Sequence, residues 1–175
     1  MTTGTIRAGV VVSLIALAGC ADNYAYRDRG GPPGPPPPGF QQPANAPYGH
    51  ATEVQIERSM DRYSALLLAM DSEGMSGMYT PDGVMERQSG KPLRGREEIR
   101  AFLSSFSNVH VLSNQMTTIS LAYNGPAVVQ NGSFQQSARV NGKVVNAAGR
   151  FEATWVRGPH GEWFIQHMVT RPNGN

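Results

Sequence analysis

The sequence predicts an α+β domain, with helices first and a long antiparallel sheet after, the helices packed on one sheet face. Two patterns carry this reading. Ile56, Met60, Tyr63, Leu67 and Met70 recur at alternating spacings of four and three, which is one face of a helix of about five turns. Further on, alternating apolar and polar runs are divided by Asn124-Gly125, Asn141-Gly142 and Gly158-Pro159-His160-Gly161. Asn-Gly between alternating runs is the strongest short hairpin signal.

The first helix is expected to open at Thr52, because Thr52-Glu53-Val54-Gln55 has the form of a capping box. A weaker helical stretch follows at 72–79, where Gly74 and Gly77 each cost roughly 1 kcal/mol against alanine. Pro81-Asp82-Gly83 reads as a turn, since Pro presets its own dihedral and Gly permits a positive one. Residues 84–88 read as a short strand. The second firm helix is expected over 94–106. Glu97 and Glu98 stand in its first turn, where the helix dipole favours negative charge. Its apolar side is Ile99, Phe102, Leu103 and Phe106. Four antiparallel strands follow, at about 109–123, 127–140, 143–157 and 162–170. They are long for a small domain, so the sheet should curl, with Gly132 and Gly149 as candidate bulges or bends. On the third of these strands Phe151, Ala153 and Trp155 alternate with polar neighbours and should face the helices. On the fourth, strict alternation puts Trp163, Ile165, His167 and Val169 on one face, so His167 should point inward with Trp163 and Ile165.

Upstream of this domain the composition changes. Eight of the 13 prolines fall between Pro32 and Pro47. Such sequence favours extended polyproline II and has little to bury. At about 3.1 Å per residue, the stretch 21–50 could reach on the order of 90 Å. Before it, Arg7 is the only charge among the first nineteen residues, and 8–18 is apolar but about half the length of a spanning helix. That is the n-region and h-region of a signal peptide. It ends Leu17-Ala18-Gly19-Cys20, which resembles the bacterial lipobox. The resemblance implies cleavage before Cys20 and acylation of that residue, the only cysteine of the chain. Two or three acyl chains give the firm membrane anchoring that one does not. No Asp directly follows Cys20, so retention in the inner membrane is not indicated and the outer membrane is favoured. The expected organisation is therefore a lipoprotein leader at 1–19, a lipidated cysteine and tether at 20–50, and a folded domain at 51–175. The implied location is the bacterial cell envelope, facing the periplasm, with membrane lipid as partner.

Charge and motif content narrow the chemistry. Formal net charge is +2 over 175 residues, and the chain lacks the clustered basic face that nucleic-acid binding needs. One cysteine excludes an internal disulfide framework. His50, His110, His160 and His167 show no metal-ligand spacing, so no metal is expected. There is no Walker loop, GxGxxG or GxSxG elbow, and no cofactor is expected.

The runs MYTPDGVMERQSGKPLRGREEIRAFL at 78–103, GRFEATWVR at 149–157 and GEWFIQHMVT at 161–170 are similar to the nuclear transport factor 2-like superfamily. That group includes SnoaL-like polyketide cyclases and ketosteroid isomerase. The resemblance implies a curved sheet wrapped around the helices as a cone, whose open end is usually a ligand cavity. It specifies fold well and function poorly. The isomerase's oxyanion-donating tyrosine matches Tyr63. Its general-base aspartate falls on Arg87, and its second oxyanion donor, an aspartic acid, falls on Ala153. Arginine stays protonated and cannot act as that base.

What remains is a candidate cavity set of Tyr63, Arg87, Trp155 and His167. Arg87 could pair with a carboxylate or phosphate on a ligand. His167 is the candidate catalytic base, since its ordinary pKa suits neutral pH. Each has a plain structural alternative: a core tyrosine, an ion-paired arginine, a hydrogen-bonded core histidine. If Arg87 points inward Glu86 points outward, and a one-residue slip would exchange them. The favoured reading is a lipid-tethered, non-catalytic module for a small apolar or anionic ligand. The alternative is a small cofactor-independent isomerase, cyclase or hydrolase using His167, Tyr63 and Arg87. Pairing of two copies through the outer sheet face is a further expectation, with Val128, Val129 and Val156 as its apolar patch.

Overall fold

The computed structural model describes residues 49–173. The expected leader, Cys20 and the tether up to residue 48 lie outside the described residues. Three helices, α1 (His50–Leu68), α2 (Ser72–Gly77) and α3 (Gly95–Ser104), pack against a curved, unclosed sheet. Its strands are β1 (Tyr79–Arg87), β2 (Leu93–Arg94), β3 (Val109–Asn124), β4 (Ala127–Val140), β5 (Lys143–Arg157) and β6 (Trp163–Pro172), in the order β2-β1-β6-β5-β4-β3. Strands β3 to β6 form the expected antiparallel meander, while β1 joins it by pairing parallel to β6.

The helical stripe of α1 is buried as its period demands: Ile56, Met60, Tyr63 and Leu67 all face the core. Both helix boundaries differ from expectation. Gly49 is the cap residue and accepts the Thr52 N–H at 2.8 Å, so Thr52 lies inside the helix and is buried. Met70 lies past the end, in a left-handed conformation with φ of 54°, although its side chain still packs on the core. Asp71 then caps α2 by accepting the Gly74 N–H at 2.8 Å. Helix α3 buries Ile99 and Leu103, and the Glu98 carboxylate accepts the Arg94 N–H at 2.8 Å at its start.

Pro81-Asp82-Gly83 does not separate two elements. It is a detour within β1: Tyr79 pairs with Ile165 and Val84 with His167, so five steps along β1 match two along β6. At the β4–β5 turn Asn141 and Gly142 both have positive φ, as a two-residue hairpin loop requires. The β3–β4 turn is centred one residue later than its Asn-Gly suggests, on Gly125 and Pro126, with Gly125 supplying the positive φ.

The glycines inside strands are not bulges. The ladder from β4 to β5 runs without interruption through Gly132↔Phe151 and Phe134↔Gly149. Each glycine faces the ring of its partner. A Cβ on Gly132 would stand 2.3 Å from the Phe151 ring, and one on Gly149 would stand 2.7 Å from the Phe134 ring and 2.3 Å from the Arg171 carbonyl oxygen. Missing side chains on one strand thus make room for the aromatic rings of the other. Edge strand β3 does carry bulges, at Leu112 and Ile119, where the register to β4 shifts. Both bulged side chains are exposed, and such kinks blunt an otherwise long free edge.

Replacing Gly149 by alanine should destabilise the domain by about 1–3 kcal/mol, because backbone rather than a movable side chain blocks the new methyl group. Gly77, with nothing near its hypothetical Cβ, should instead gain up to about 1 kcal/mol as alanine. Urea unfolding of the two variants checks the opposite signs.

Candidate functional site

The inner sheet face is built in rows by the strand register. One row runs Tyr79, Ile165, Trp155, Val128, and the next Met85, Met168, Ala153, Gln130. Phe151, Ala153 and Trp155 do face the helices, each at 2 % exposure or less. Tyr63 reaches this layer from α1. Its hydroxyl is hydrogen-bonded to that of Tyr79, whose oxygen also lies 3.8 Å from Sδ of Met168. The Trp155 indole donates to Oε1 of Gln130 at 2.9 Å, and Nε2 of Gln130 donates to Oγ1 of Thr118 at 2.8 Å. Trp155 and Tyr79 show no exposed surface. A ring bordering a void large enough for water would show some, so this depth of the cone is packed solid.

Arg87 lies on the inner side, on the face of Met85, as expected. Its guanidinium stacks 4.3 Å above the Phe102 ring, and Nη2 donates to the Lys91 carbonyl oxygen at 3.2 Å. Partial burial pulls its pKa below the ordinary arginine value, because desolvation disfavours the charge. Its Nε is buried without a partner.

His167 is not in the cone. Strand β6 carries one unmatched residue, Gln166: Trp155 pairs with Ile165, but Thr154 pairs with His167. That bulge inverts the alternation, so Met168 and Thr170 turn inward while His167 and Val169 turn out. On the outer face Nε2 of His167 stands 3.1 Å from the Glu86 carboxylate. Glu86 is thus outward while Arg87 is inward. The structure brings Tyr63 and Trp155 into one packed layer and leaves His167 on the opposite side of the sheet.

The outer face also lacks its expected apolar patch. Val128 points inward beside Trp155 and Val156 has no exposed surface, so of the three only Val129 keeps partial exposure on the outer side. Its strand neighbours there are Asn131, Ser133, Gln135, Ser137 and Arg139.

Sequence reasoning passed over the interior amides. Gln130 and Gln136 alternate with the exposed positions of β4 and are both buried, which the period of two could have revealed. Gln136 pairs across the ladder with Asn114, whose Nδ2 donates to Oγ of Ser64 on α1 at 2.7 Å. Nε2 of Gln136 and Oδ1 of Asn114 are buried without partners. Among the described residues no group of three or more His, Asp, Glu or Cys could hold a metal ion.

A cavity of about 500 Å³ opens elsewhere, between α1, α2 and the start of β6, with Arg58, Arg62, Met78 and Trp163 in its lining.

A family model described as SnoaL-like domain matches residues 51–169. No curated protein matches the chain. Among solved structures, a ketosteroid isomerase-like protein from Erwinia carotovora atroseptica superposes with a TM-score of 0.65 at 16% identity, covering 73% of this chain and 100% of that one. ActVI-ORFA from Streptomyces coelicolor gives 0.62 at 15% identity, covering 70% and 98%. A protein with a cystatin-like fold from Nostoc punctiforme gives 0.60 at 11% identity, covering 74% and 97%. At these identities the likeness is one of fold.

Burial pushes Tyr63 up to about 12, offset in part by the bond from Tyr79, and holds Tyr79 well above 10 through burial and its neighbour Tyr63. A raised native pKa stabilises the neutral form. That contribution is complete below the unfolded value near 10 and is lost as pH rises through about 12. In an ultraviolet phenolate titration, two of the six tyrosines should ionise only in step with the loss of circular dichroism. All six ionising reversibly near pH 10 in the folded protein would contradict the packing described.

Proposed function

The chain belongs to the SnoaL-like domain family, and from that premise we propose that it is a non-catalytic, small-ligand-binding or accessory module of the bacterial cell envelope. One observation carries the reading: among the described residues, neither His167 nor a carboxylate at the isomerase positions stands on the side of Tyr63. The positions of the isomerase carboxylates are occupied by Arg87 and Ala153. Ala153 has no exposed surface, and the remaining candidate base, His167, bonds Glu86 across the sheet from Tyr63. Proton abstraction beside a carbonyl needs a base within hydrogen-bond reach of the carbon acid.

Attachment through an acylated Cys20, with a proline-rich tether, completes the proposal. No helix among the described residues is long and apolar enough to cross a membrane, and acylation needs none. Replacing Cys20 with serine should abolish acyl labelling and shift the protein from the membrane to the soluble fraction. Retention at the membrane without acylation would reject the anchor. A thermal-shift screen of the full chain against small metabolites should give stabilising ligands without turnover. Measurable conversion of a carbonyl or lactone substrate would reject the non-catalytic reading.

A further inference from the structure

We propose that the groove between α1, α2 and the start of β6 binds a small amphiphilic anion, a carboxylate or phosphate on an alkyl or aromatic body. The proposal deepens the ligand-binding reading by locating a site outside the cone. Arg58 and Arg62 hold the anion, and Met78 and Trp163 take the apolar body.

The arginines are four residues apart on α1, hence one above the other on the same helix face. Like charges at this spacing repel slightly in a helix. Among the described residues no hydrogen bond or ion pair engages either side chain, and both residues are exposed. Two guanidinium forks side by side match the oxygens of a carboxylate or phosphate in geometry as well as charge. The acid that lines the groove forms no ion pair with them. Oε2 of Glu162 accepts the His160 N–H at 3.0 Å, which ties that carboxylate to its own turn.

The floor is fixed before any ligand arrives. The Trp163 indole donates to Oε1 of Gln55 at 3.0 Å, and that same oxygen accepts Nη2 of Arg157 at 3.0 Å. The Arg157 guanidinium lies 5.4 Å from the Trp163 ring. That ring is therefore held, so little ordering remains to oppose binding. Gly74 and Gly77 of α2 form a wall without side chains. At about 500 Å³ the groove is within the range of small-molecule sites, and it combines apolar lining with a few convergent polar groups.

The test uses the full-length Cys20→Ser chain, titrated with decanoate and with phenyl phosphate, and read by tryptophan fluorescence. Of the two tryptophans Trp155 is sealed in the core, so Trp163 reports the groove. Saturable binding is expected, weakened by salt and weaker by tenfold or more in Arg58→Ala/Arg62→Ala, with circular dichroism unchanged. Arg58→Lys/Arg62→Lys, which keeps charge but loses the forks, should fall between. Arg139→Ala, on the outer sheet face, should bind as the parent does. Decanol and inorganic phosphate, each with half of the required chemistry, should bind more weakly than either probe. Absence of saturation with both probes, or binding unchanged in the double alanine variant, would overturn the groove assignment. So would binding confined to phosphatidylglycerol vesicles, which would give the arginines to a lipid surface instead. A ligand that still binds the double variant removes only this groove and leaves the ligand-binding reading in place, whereas turnover would remove that reading.

Discussion

Between Ile165 and His167, strand β6 carries one residue more than β5 can match, and the composition of the interior follows from it. Side chains alternate across a strand with a period of two, so a single unmatched residue exchanges the faces of everything after it. Without the bulge, His167 and Val169 would enter the cone and Met168 would leave it. With it, Met168 lies beneath Ala153 and beside Tyr79, and His167 meets Glu86 on the outer face. The parallel pairing of β1 depends on the same register. Val84 aligns with His167 and Met85 with Met168, so the inward side of β1 is set to include Arg87.

The interior that results is polar in places but largely self-satisfied. Trp155, Gln130 and Thr118 form a continuous hydrogen-bonded line across three strands. The Tyr79 hydroxyl donates to that of Tyr63, with Met168 as a soft neighbour. Breaking either line would leave a buried donor or acceptor unpaired, at a cost of about 1–3 kcal/mol. These groups therefore act as constraints on packing. The hydroxyl of Tyr63 accepts from Tyr79, which fixes its place in this layer.

How much of this was legible in the sequence depended on the range over which each feature is encoded. Strand limits for β3 to β6 came within about two residues of the structure, because Asn-Gly and Gly-Pro-His-Gly act locally through backbone dihedrals. The α1 stripe and the inward face of β5 follow from periodicity alone. The bulge at Gln166 has no such signature: Gln166 is neither Gly nor Pro, and the mismatch arises only when β6 is laid against β5. The misplaced histidine follows directly from that. Gly132 and Gly149 were visible as irregular positions, but their role is cross-strand, since each needs the opposite phenylalanine to explain it. The groove was hidden because Gln55, Arg58 and Arg62 look like an ordinary solvated helix face until β6 brings Trp163 beneath them.

Anchor and groove are separable in physical terms. In the proposed attachment through Cys20, a tether of about thirty residues could span up to about 90 Å, whereas attraction between exposed charges decays over about 8 Å at physiological ionic strength. Over most of that reach, Arg58 and Arg62 would feel no membrane surface, and their field would act on solutes. The domain's near-neutral overall charge points the same way, since it gives no net pull toward an anionic bilayer to hold the groove against it. Selectivity at the groove would then come from short-range contact. The two forks fix the anionic end, and the apolar floor at Met78 and Trp163 favours anions that carry an apolar body. Lipid attachment would determine where the domain meets its ligand, and α1 with β6 would determine which ligand it retains.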